Sequence, residues 1–363
     1  MNEDRSARYH RLRRRATVLS TGIGGVWLLV LAATPVGSAL AAAAERAGSR
    51  FSPPAAAALA VVLFVSAGTL GYELLSMPLA FYRGYLLERK YGLSRESVGG
   101  WILDQVKALA IGLPLTAAAG LVIMAARSVA AAWWWAIAAT IFVLAIVGFV
   151  NIAPTLLMPL FYRFSPLNRE ELRERLLTLS ARAGVPVLGA FEWGLGEKTT
   201  RANAALVGLG QTRRIILSDT LLKGYSDDEI EVILAHELAH HVHHDIWSGV
   251  ALEAATIVLA LYAASYAPGA GGVVVLARIA LASAAVSLLL VPLSNGWSRR
   301  NERRADRYAL ELTRRPAVFV AAIKRLGAQN LAEEHPSTIS RWLFHSHPTI
   351  EERVAAAQAF KVA

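Results

Sequence analysis

Long apolar runs alternate with short polar segments along most of the chain. Six of these runs are long enough to cross a membrane as helices, because a hydrocarbon core requires about 20 apolar helical residues. The residues "APGAGG" between the last two runs predict a tight turn. The pattern therefore predicts a mainly α protein, a polytopic membrane helix bundle of about six spans. The predicted spans cover residues 18–42, 55–80, 108–126, 128–150, 246–267 and 272–294.

One large polar block separates the fourth run from the fifth. It begins with a helical pattern in "NREELRERLLTLSARAGV", followed by three strand-like runs, "VPVLGAFEWG", "ANAALVGLG" and "RRIILSD". The segment "YSDDEIEVILAHELAHHVHHD" predicts a helix that starts with a capping box formed by Ser226 and Glu229. The chain is therefore predicted to have four parts: a membrane region (1–160), a small α+β insert (161–245), a two-span hairpin (246–296) and C-terminal helices (297–363).

Composition and charge agree with a membrane protein. Hydrophobic residues make up 55% of the chain, and the mean hydropathy is +0.42. The absence of cysteine excludes disulfides and thiolate metal sites. The net charge of +10 comes from Lys and Arg concentrated in alternate loops. Such loops face the cytoplasm beside anionic lipids, which predicts membrane lipids, and no nucleic acid, as partners of the basic segments.

The same charge pattern orients the chain, with both termini and the insert facing the cytoplasm. The first run has a second interpretation, because the basic segment "RSARYHRLRRRAT" precedes it and "GSALAAAA" offers a signal cleavage site. The run is long for a signal peptide, so an uncleaved span is favoured. Cleavage would leave the remaining topology unchanged.

The strongest chemical signal lies in "EVILAHELAHHVHHDIW", where five of the nine histidines are concentrated. His236 and His240 are four residues apart, so they share one helix face. With Glu237 they form His-Glu-x-x-His, in which two imidazoles bind zinc and the glutamate acts as general base. Zinc lowers the pKa of its bound water to about 7. The alternative is a histidine-rich helix end that faces lipid headgroups.

A zinc site of this kind needs a third protein ligand. Glu302 is our candidate, and Asp306 is a candidate to hold the far nitrogen of a liganding histidine. Their spacing fits equally well an exposed helix with Glu-to-Arg pairs. Chain geometry favours the zinc site, because a two-span hairpin ends on the side where it began. The hairpin therefore returns Glu302 to the membrane face at which His236 and His240 lie.

Further polar residues lie near or within the predicted spans. His244 lies eight residues after His236, and on a continuous helix it would support the metal site from outside the ligand shell. His241 and His243 are predicted to be solvated or interfacial. Glu73 and Glu253 fall within apolar runs, so they either line a polar chamber or pair with a nearby base.

Several segments together resemble the Ste-type CAAX prenyl endopeptidases, within the wider HtpX/Ste metallopeptidase family. The similarity runs from about residue 80 to 355 and includes "PLAFYRGYLLERKYGLSRESVGGW", "APTLLMPLFYRFSPL", "TTRANAALVGLGQTRRIILSDTLL", "NGWSRRNERRADRYAL" and "HSHPTIEER". The resemblance implies one zinc ion on His236, His240 and Glu302, with Glu237 as base. It also implies that Asn203 and His347 bind the substrate or its tetrahedral intermediate.

We therefore predict an integral-membrane zinc metalloendopeptidase with a zincin-type insert on the cytoplasmic side. Its substrate would be a peptide or protein, lipid-modified or membrane-embedded, lying extended along an edge strand such as "ANAALVGLG". One alternative is an HtpX-like quality-control protease for misfolded membrane proteins. Another is a non-catalytic membrane scaffold with a structural zinc site, which would not need Glu237.

Overall fold

The computed structural model describes residues 4–208, 210–266 and 271–361. Within these ranges, six helices are long and apolar enough to cross a membrane. The predicted fold class, a mainly α membrane bundle with about six spans and a small α+β unit, is confirmed. The predicted turn between the last two spans falls mostly on residues 267–270, which lie outside the described residues. The division of the chain into four parts stays a prediction.

The first half of the chain is almost entirely helical. Its helices are α1 (Arg5–Ala33), α2 (Pro35–Gly48), α3 (Pro53–Phe81), α4 (Leu87–Lys90), α5 (Val98–Val129), α6 (Trp134–Ile152) and α7 (Met158–Phe161). Two π-helical segments, Tyr82–Leu86 and Ala153–Leu157, join α3 to α4 and α6 to α7. Pro154 lies in the second segment, where it has no N–H to donate to a regular α-helical ladder.

The first predicted span, 18–42, does not match a single helix. The helix α1 begins at Arg5 and ends at Ala33, and α2 begins at Pro35. Proline restricts the residue before it to extended conformations. Thr34 accordingly has φ −120° and ψ 166°, and its hydroxyl caps the new helix by accepting a hydrogen bond from the N–H of Val36. The apolar run therefore continues through a helix break that hydropathy alone does not reveal.

Among the described residues, all four strands and the remaining α-helices lie after α7. In chain order they are β1 (Phe164–Pro166), α8 (Glu170–Arg182), β2 (Ala190–Trp193), β3 (Ala204–Val207), β4 (Arg214–Ser218), α9 (Asp219–Gly224), α10 (Asp227–Val242), α11 (Asp245–Ser265), α12 (Val275–Thr313), α13 (Pro316–Gln329), α14 (Thr338–Phe344) and α15 (Ile350–Ala359). The three predicted strands are present, and β1 is an additional strand of three residues.

The sheet has the order β1-β2-β4-β3, with β2 parallel to β4 and the other pairs antiparallel. This order leaves β3 at one edge. The central strand β4 places Ile215 and Leu217 in a core with Leu172 and Leu176 of α8 and Leu234 of α10, all five fully buried. Burial of an aliphatic side chain of this size contributes about 1.5–3 kcal/mol. This core holds α10 against the sheet.

The helix α10 starts where the sequence predicts and ends earlier. The N–H of Ser226 donates to Oε2 of Glu229 at 2.9 Å, and the N–H of Glu229 donates to the Ser226 hydroxyl at 3.3 Å, which completes the capping box. The helix ends at Val242, and His244 has φ 56°, a left-handed conformation that interrupts the helical path before α11. By contrast, α12 runs without a break from the last span through Glu302.

Candidate metal centre and active site

The helix α10 places His236 and His240 on one face, and their ring centroids lie 5.1 Å apart. Glu302 approaches from α12. Its Oε2 lies 3.2 Å from Nε2 of His236, and its Oε1 lies 3.7 Å from Nε2 of His240. One ligand atom from each of the three residues lies within 4.8 Å of the others, a spacing that can hold a metal ion. Residues far apart in the sequence are thus brought together where α10 meets α12.

Two aspartates fix the orientation of the histidine rings. Oδ1 of Asp306 lies 2.9 Å from Nδ1 of His236, and Oδ2 of Asp245 lies 2.8 Å from Nδ1 of His240. A carboxylate can only accept here, so each Nδ1 carries a proton, and Nε2, which faces Glu302, is left as the ring atom that can bind a metal. This tautomer is the one that binds a metal through Nε2.

Two arginines hold these aspartates in turn. Both oxygens of Asp306 accept from the guanidinium of Arg353, with 2.9 Å between Nε and Oδ2. The carboxylate of Asp245 accepts from Arg304 through its other oxygen. Arg353 and Asp306 are both buried, so the pair is shielded from water and its geometry is strongly constrained. Of these four residues, Asp306 was predicted from the sequence, whereas Asp245, Arg304 and Arg353 were not.

The donor set fits a divalent metal ion. Burial acts to lower the pKa of His236, but the neighbouring Asp306 and Glu302 carboxylates outweigh it and raise that pKa to about 9. Oε2 of Glu302 is buried and lacks an acceptably oriented hydrogen-bond donor among the described residues. A buried carboxylate of this kind favours a positive charge beside it. A metal ion would provide that charge and coordinate the unsatisfied oxygen, displacing the proton from His236.

His244 does not take the place expected from an unbroken helix. Its side chain is exposed, because α10 ends at Val242 and the left-handed backbone of His244 turns the chain away from the helical face. Asp245, one residue later, contacts His240 instead. An acidic residue within five positions of the second histidine was the available sequence signal. His241, predicted to be solvated or interfacial, is buried and contacts the carbonyl of Leu206 at 3.0 Å.

We call the three candidate ligands, His236, His240 and Glu302, the metal cluster. This group of side chains separates two cavities. We call the first the domain cavity, a space of about 360 Å³ bordered by α10, α13 and the residues around His347. The second is the hairpin cavity, about 610 Å³ between α11 and α12. Glu237 and Glu302 line both. His236 faces the domain cavity and His240 the hairpin cavity, so a chain passing from one to the other would cross the metal cluster.

Asn203 and His347 both line the domain cavity with Glu237. Asn203 immediately precedes β3, and its side chain is exposed. Nε2 of His347 lies 3.2 Å from Oε1 of Glu302, and the His347 side chain is 60% exposed, so solvent or a ligand can reach the ring. Burial raises the pKa of Glu237, which sits between the two histidines on the same helix. The three side chains are therefore available on one side of the metal cluster.

A third cavity, the membrane chamber, lies among the spanning helices and has a volume of about 680 Å³. Its walls are mainly apolar and include Trp27, Phe64 and Phe142. The chamber shares Glu253 with the hairpin cavity, and Glu73 also faces it. Of the two readings for these acids, the structure supports the chamber, since neither forms an ion pair with another described residue. The chamber therefore adjoins the hairpin cavity, which reaches the metal cluster.

The fold and the site define a multi-span membrane metallopeptidase. The family model "Peptidase family M48" matches residues 166–361, more than half of the chain, and the chain belongs to this family. A second model, "CAAX prenyl protease N-terminal, five membrane helices", matches residues 2–163. In the described part of that range, four helices have spanning length, and the shorter α2 is a further apolar helix.

Similar proteins occur in bacteria and in yeasts. The chain is 29% identical over 316 residues to the uncharacterized metalloprotease YhfN of Bacillus subtilis, an alignment that covers 83% of this chain and 74% of that protein. It is 29% identical over 315 residues to CAAX prenyl protease 1 of Saccharomyces cerevisiae, covering 78% and 68%. It is 26% identical over 308 residues to the probable CAAX prenyl protease 1 of Schizosaccharomyces pombe, covering 81% and 65%. The matched part is thus about two thirds of the length of the two yeast proteins.

A solved structure supports the fold. The crystal structure of S. mikatae Ste24p superposes with a TM-score of 0.83 at 21% sequence identity, covering 97% of this chain and 88% of that one. The family and the fold agree with a metal-dependent hydrolase rather than a scaffold. The intact Glu237 agrees with this too, because a purely structural metal site does not need a base.

Proposed function

We propose that this protein is an integral-membrane zinc endopeptidase that cleaves peptides close to a lipid-modified C-terminus. Two histidines and one glutamate form a ligand set typical of catalytic zinc, which keeps its fourth position open for water or substrate. The yeast relatives are named as CAAX prenyl proteases, and we extend that substrate class to this chain as a hypothesis.

The observation that carries the substrate class is the connection of the metal cluster to an apolar chamber. The hairpin cavity reaches from His240 to Glu253, Thr256 and Ser287, and the same three residues line the membrane chamber. A prenyl chain has no hydrogen-bonding groups, so apolar walls of this kind would favour its transfer from water. A peptide held at the metal cluster would then have a place for its lipid without leaving the membrane region.

The chemistry would follow from the side chains around the cluster. A zinc ion in this site would polarise the scissile carbonyl and lower the pKa of water. Glu237, whose pKa burial raises, would take a proton from the water as its oxygen attacks the carbonyl carbon. When the carbon–nitrogen bond breaks, the Glu237 carboxyl would return that proton to the leaving amine.

Asn203 and His347 would steady the developing oxyanion. Both line the domain cavity beside Glu237, and both carry side-chain N–H groups that can donate to a negatively charged oxygen. His347 already lies within 3.2 Å of Glu302, which places the ring at the edge of the metal cluster. Removal of one such donor typically lowers kcat by about 100- to 1,000-fold.

The catalytic side is proposed to face the cytoplasm. By the catalytic unit we mean the sheet, α8 to α10, the C-terminal part of α12 and α13 to α15. The N-terminal end of α1 contacts this unit, because the Ser6 hydroxyl donates to the carbonyl of Ala332 at 2.6 Å and Arg14 pairs with Glu333. This end of α1 is rich in arginine, which favours the cytoplasmic side of a membrane. The catalytic unit, which lies against it, would then share that side.

Cleavage of two matched peptides by the detergent-purified protein tests this function. One peptide carries a prenyl group near its C-terminus and the other does not, and Glu237→Gln is the control because it keeps the fold and removes the base. We expect Glu237-dependent cleavage that favours the prenylated peptide. Equal cleavage of both would point instead to a general membrane protease of the quality-control kind, and no cleavage of either would count against the proposal.

A further inference from the structure

The strand β3 lies at the edge of the sheet, and its unpaired side presents an alternating set of backbone groups. The N–H of Ser218 donates to the carbonyl of Asn203 at 2.9 Å, so the backbone of Asn203 faces the neighbouring strand β4. In an antiparallel pair, successive residues alternate between facing the partner and facing away. The register of β3 and β4 therefore directs the N–H and carbonyl groups of Ala202, Ala204 and Leu206 away from the sheet.

A side chain already occupies the first of these three positions. The N–H of Ala202 donates to Oδ1 of Asn330 at 3.0 Å, and Nδ2 of Asn330 donates to the carbonyl of Ala202 at 3.0 Å. The amide of Asn330 thus takes the place that a paired strand would occupy. A peptide cannot pair with Ala202 while this bidentate contact is made.

A different side chain closes the other end. Nε2 of His241 lies 3.0 Å from the carbonyl of Leu206, and a carbonyl can only accept, so the ring nitrogen donates. The His241 ring is buried, and it follows the candidate ligand His240 on α10. This bond removes the outward carbonyl of Leu206 from the set available to a peptide and leaves its N–H.

We call Asn330 and His241 the caps, because each occupies a backbone group on the unpaired side of β3. The two caps lie on opposite sides of the metal cluster. Asn330 and Ala202 line the domain cavity, whereas His241 and Leu206 line the hairpin cavity. Ala204 lies between them in the strand, and no side chain of the described residues hydrogen-bonds to its backbone. The uncapped part of the edge is therefore the short stretch between a residue of the domain cavity, Ala202, and a residue of the hairpin cavity, Leu206.

We infer that Asn330 and His241 limit strand pairing with the substrate to Ala204 and the N–H of Leu206. Only one outward carbonyl, that of Ala204, stays free, so only one backbone N–H of a bound peptide pairs with the edge. The two residues act as positioning residues: they keep the paired stretch short and leave the flanking parts of the substrate to the cavities. This inference rests on the proposed endopeptidase function, with the peptide lying along β3.

Single backbone methylation of a cleaved peptide tests the inference. Each N–H outside the scissile bond is methylated in turn, and KM is measured. Loss of one hydrogen bond should raise KM roughly 2- to 10-fold. We expect one sensitive amide in the wild-type protein, with the amides two residues to either side insensitive.

The caps are then removed separately. His241→Ala frees the carbonyl of Leu206 and should create a second sensitive amide two residues from the first. Asn330→Ala frees the carbonyl of Ala202 and should create one on the opposite side. His241→Gln, which keeps a donor, is the matched control and should retain the single sensitive amide. Metal content and thermal unfolding of each variant establish that the fold is intact.

Several outcomes would overturn the inference, and they separate it from the proposed function. Three alternating sensitive amides in the wild-type protein would mean that substrate displaces both caps. Efficient Glu237-dependent cleavage without any sensitive amide would mean that the peptide does not pair with β3, although proteolysis stands. The absence of Glu237-dependent cleavage would overturn the proposed function and this inference with it. The wild-type scan can overturn the inference even when neither cap variant folds.

Discussion

Oδ1 of Asp306 lies 2.9 Å from Nδ1 of His236, and this contact joins α12 to α10 behind the metal cluster. Arg353 of α15 binds the same carboxylate, so three helices meet at one buried group. The contact fixes both the proton position and the ring angle of His236. A ring free to rotate would bind a metal ion only in a fraction of its orientations.

Asp306→Asn should weaken metal binding while leaving the three candidate ligands in place. The amide lacks the negative charge that holds the His236 N–H and the Arg353 guanidinium. Loss of such an outer contact lowers metal affinity by about 10- to 100-fold. Competition with a chromophoric chelator measures the change. Glu311→Gln, an exposed acid on the same helix, is the control, and an equal loss there would argue against a specific role for Asp306.

Asp245, rather than the predicted His244, supports the metal site from outside the ligand shell. Asp245→Asn should also lower metal affinity by about 10- to 100-fold, because Asp245 orients His240. His244→Gly should leave metal affinity unchanged, since its side chain is exposed and glycine suits the backbone φ of 56°. Isothermal titration with zinc measures both variants. A strong loss of affinity in His244→Gly would restore the role predicted from the sequence.

The residues of α10 that are proposed to act in catalysis or metal binding could all be predicted from the sequence. His236, Glu237 and His240 form a motif whose spacing has a direct meaning on a helix. Spacing alone could not show whether Glu302 is the third metal ligand, because the same pattern fits an exposed helix. Glu302 was favoured as a ligand because a two-span hairpin returns to its starting side. The uninterrupted course of α12 from the last span to Glu302 agrees with this expectation.

Contacts that depend on tertiary packing could not be predicted from the sequence. Arg353 meets Asp306 only because α15 packs beside α12, and no local spacing links the two residues. Asp245 reaches His240 because the helix breaks at His244, and the periodic pattern continued past that break. The end of α1 was missed for a related reason: Pro35 interrupts the helix within an apolar run that hydropathy treats as continuous.

Glu302→Ala should abolish stable metal binding. The two histidines alone leave a site with too few protein ligands, whereas catalytic zinc sites normally use three. Metal content after dialysis, measured by atomic emission, gives the result directly. Glu237→Gln should keep full metal content, because Glu237 is not one of the three clustered ligands. An unchanged metal stoichiometry in Glu302→Ala would place the third ligand elsewhere.

Acidification should destabilise the contact between the N-terminal end of α1 and the catalytic unit through His345. Burial lowers the pKa of His345, and this effect outweighs the attraction of Glu333, whose Oε2 lies 3.1 Å from Nε2 of the ring. Arg14 also pairs with Glu333, and Arg299 lies nearby, so both oppose a further positive charge. The folded protein therefore favours the neutral imidazole.

The direction of the pH effect follows from this shift. Above the unfolded pKa of about 6.5, His345 is neutral in both states and contributes no pH dependence. As the pH falls below that value, the unfolded chain binds a proton more readily than the folded one, so the free energy of unfolding decreases until the folded pKa is passed. Thermal unfolding in detergent at pH 7.5 and 5.5 should therefore show a larger fall in Tm for the wild-type protein than for His345→Gln. Glutamine keeps a donor for Glu333 and does not titrate, and an equal fall in both proteins would exclude His345 as a source of the acid sensitivity.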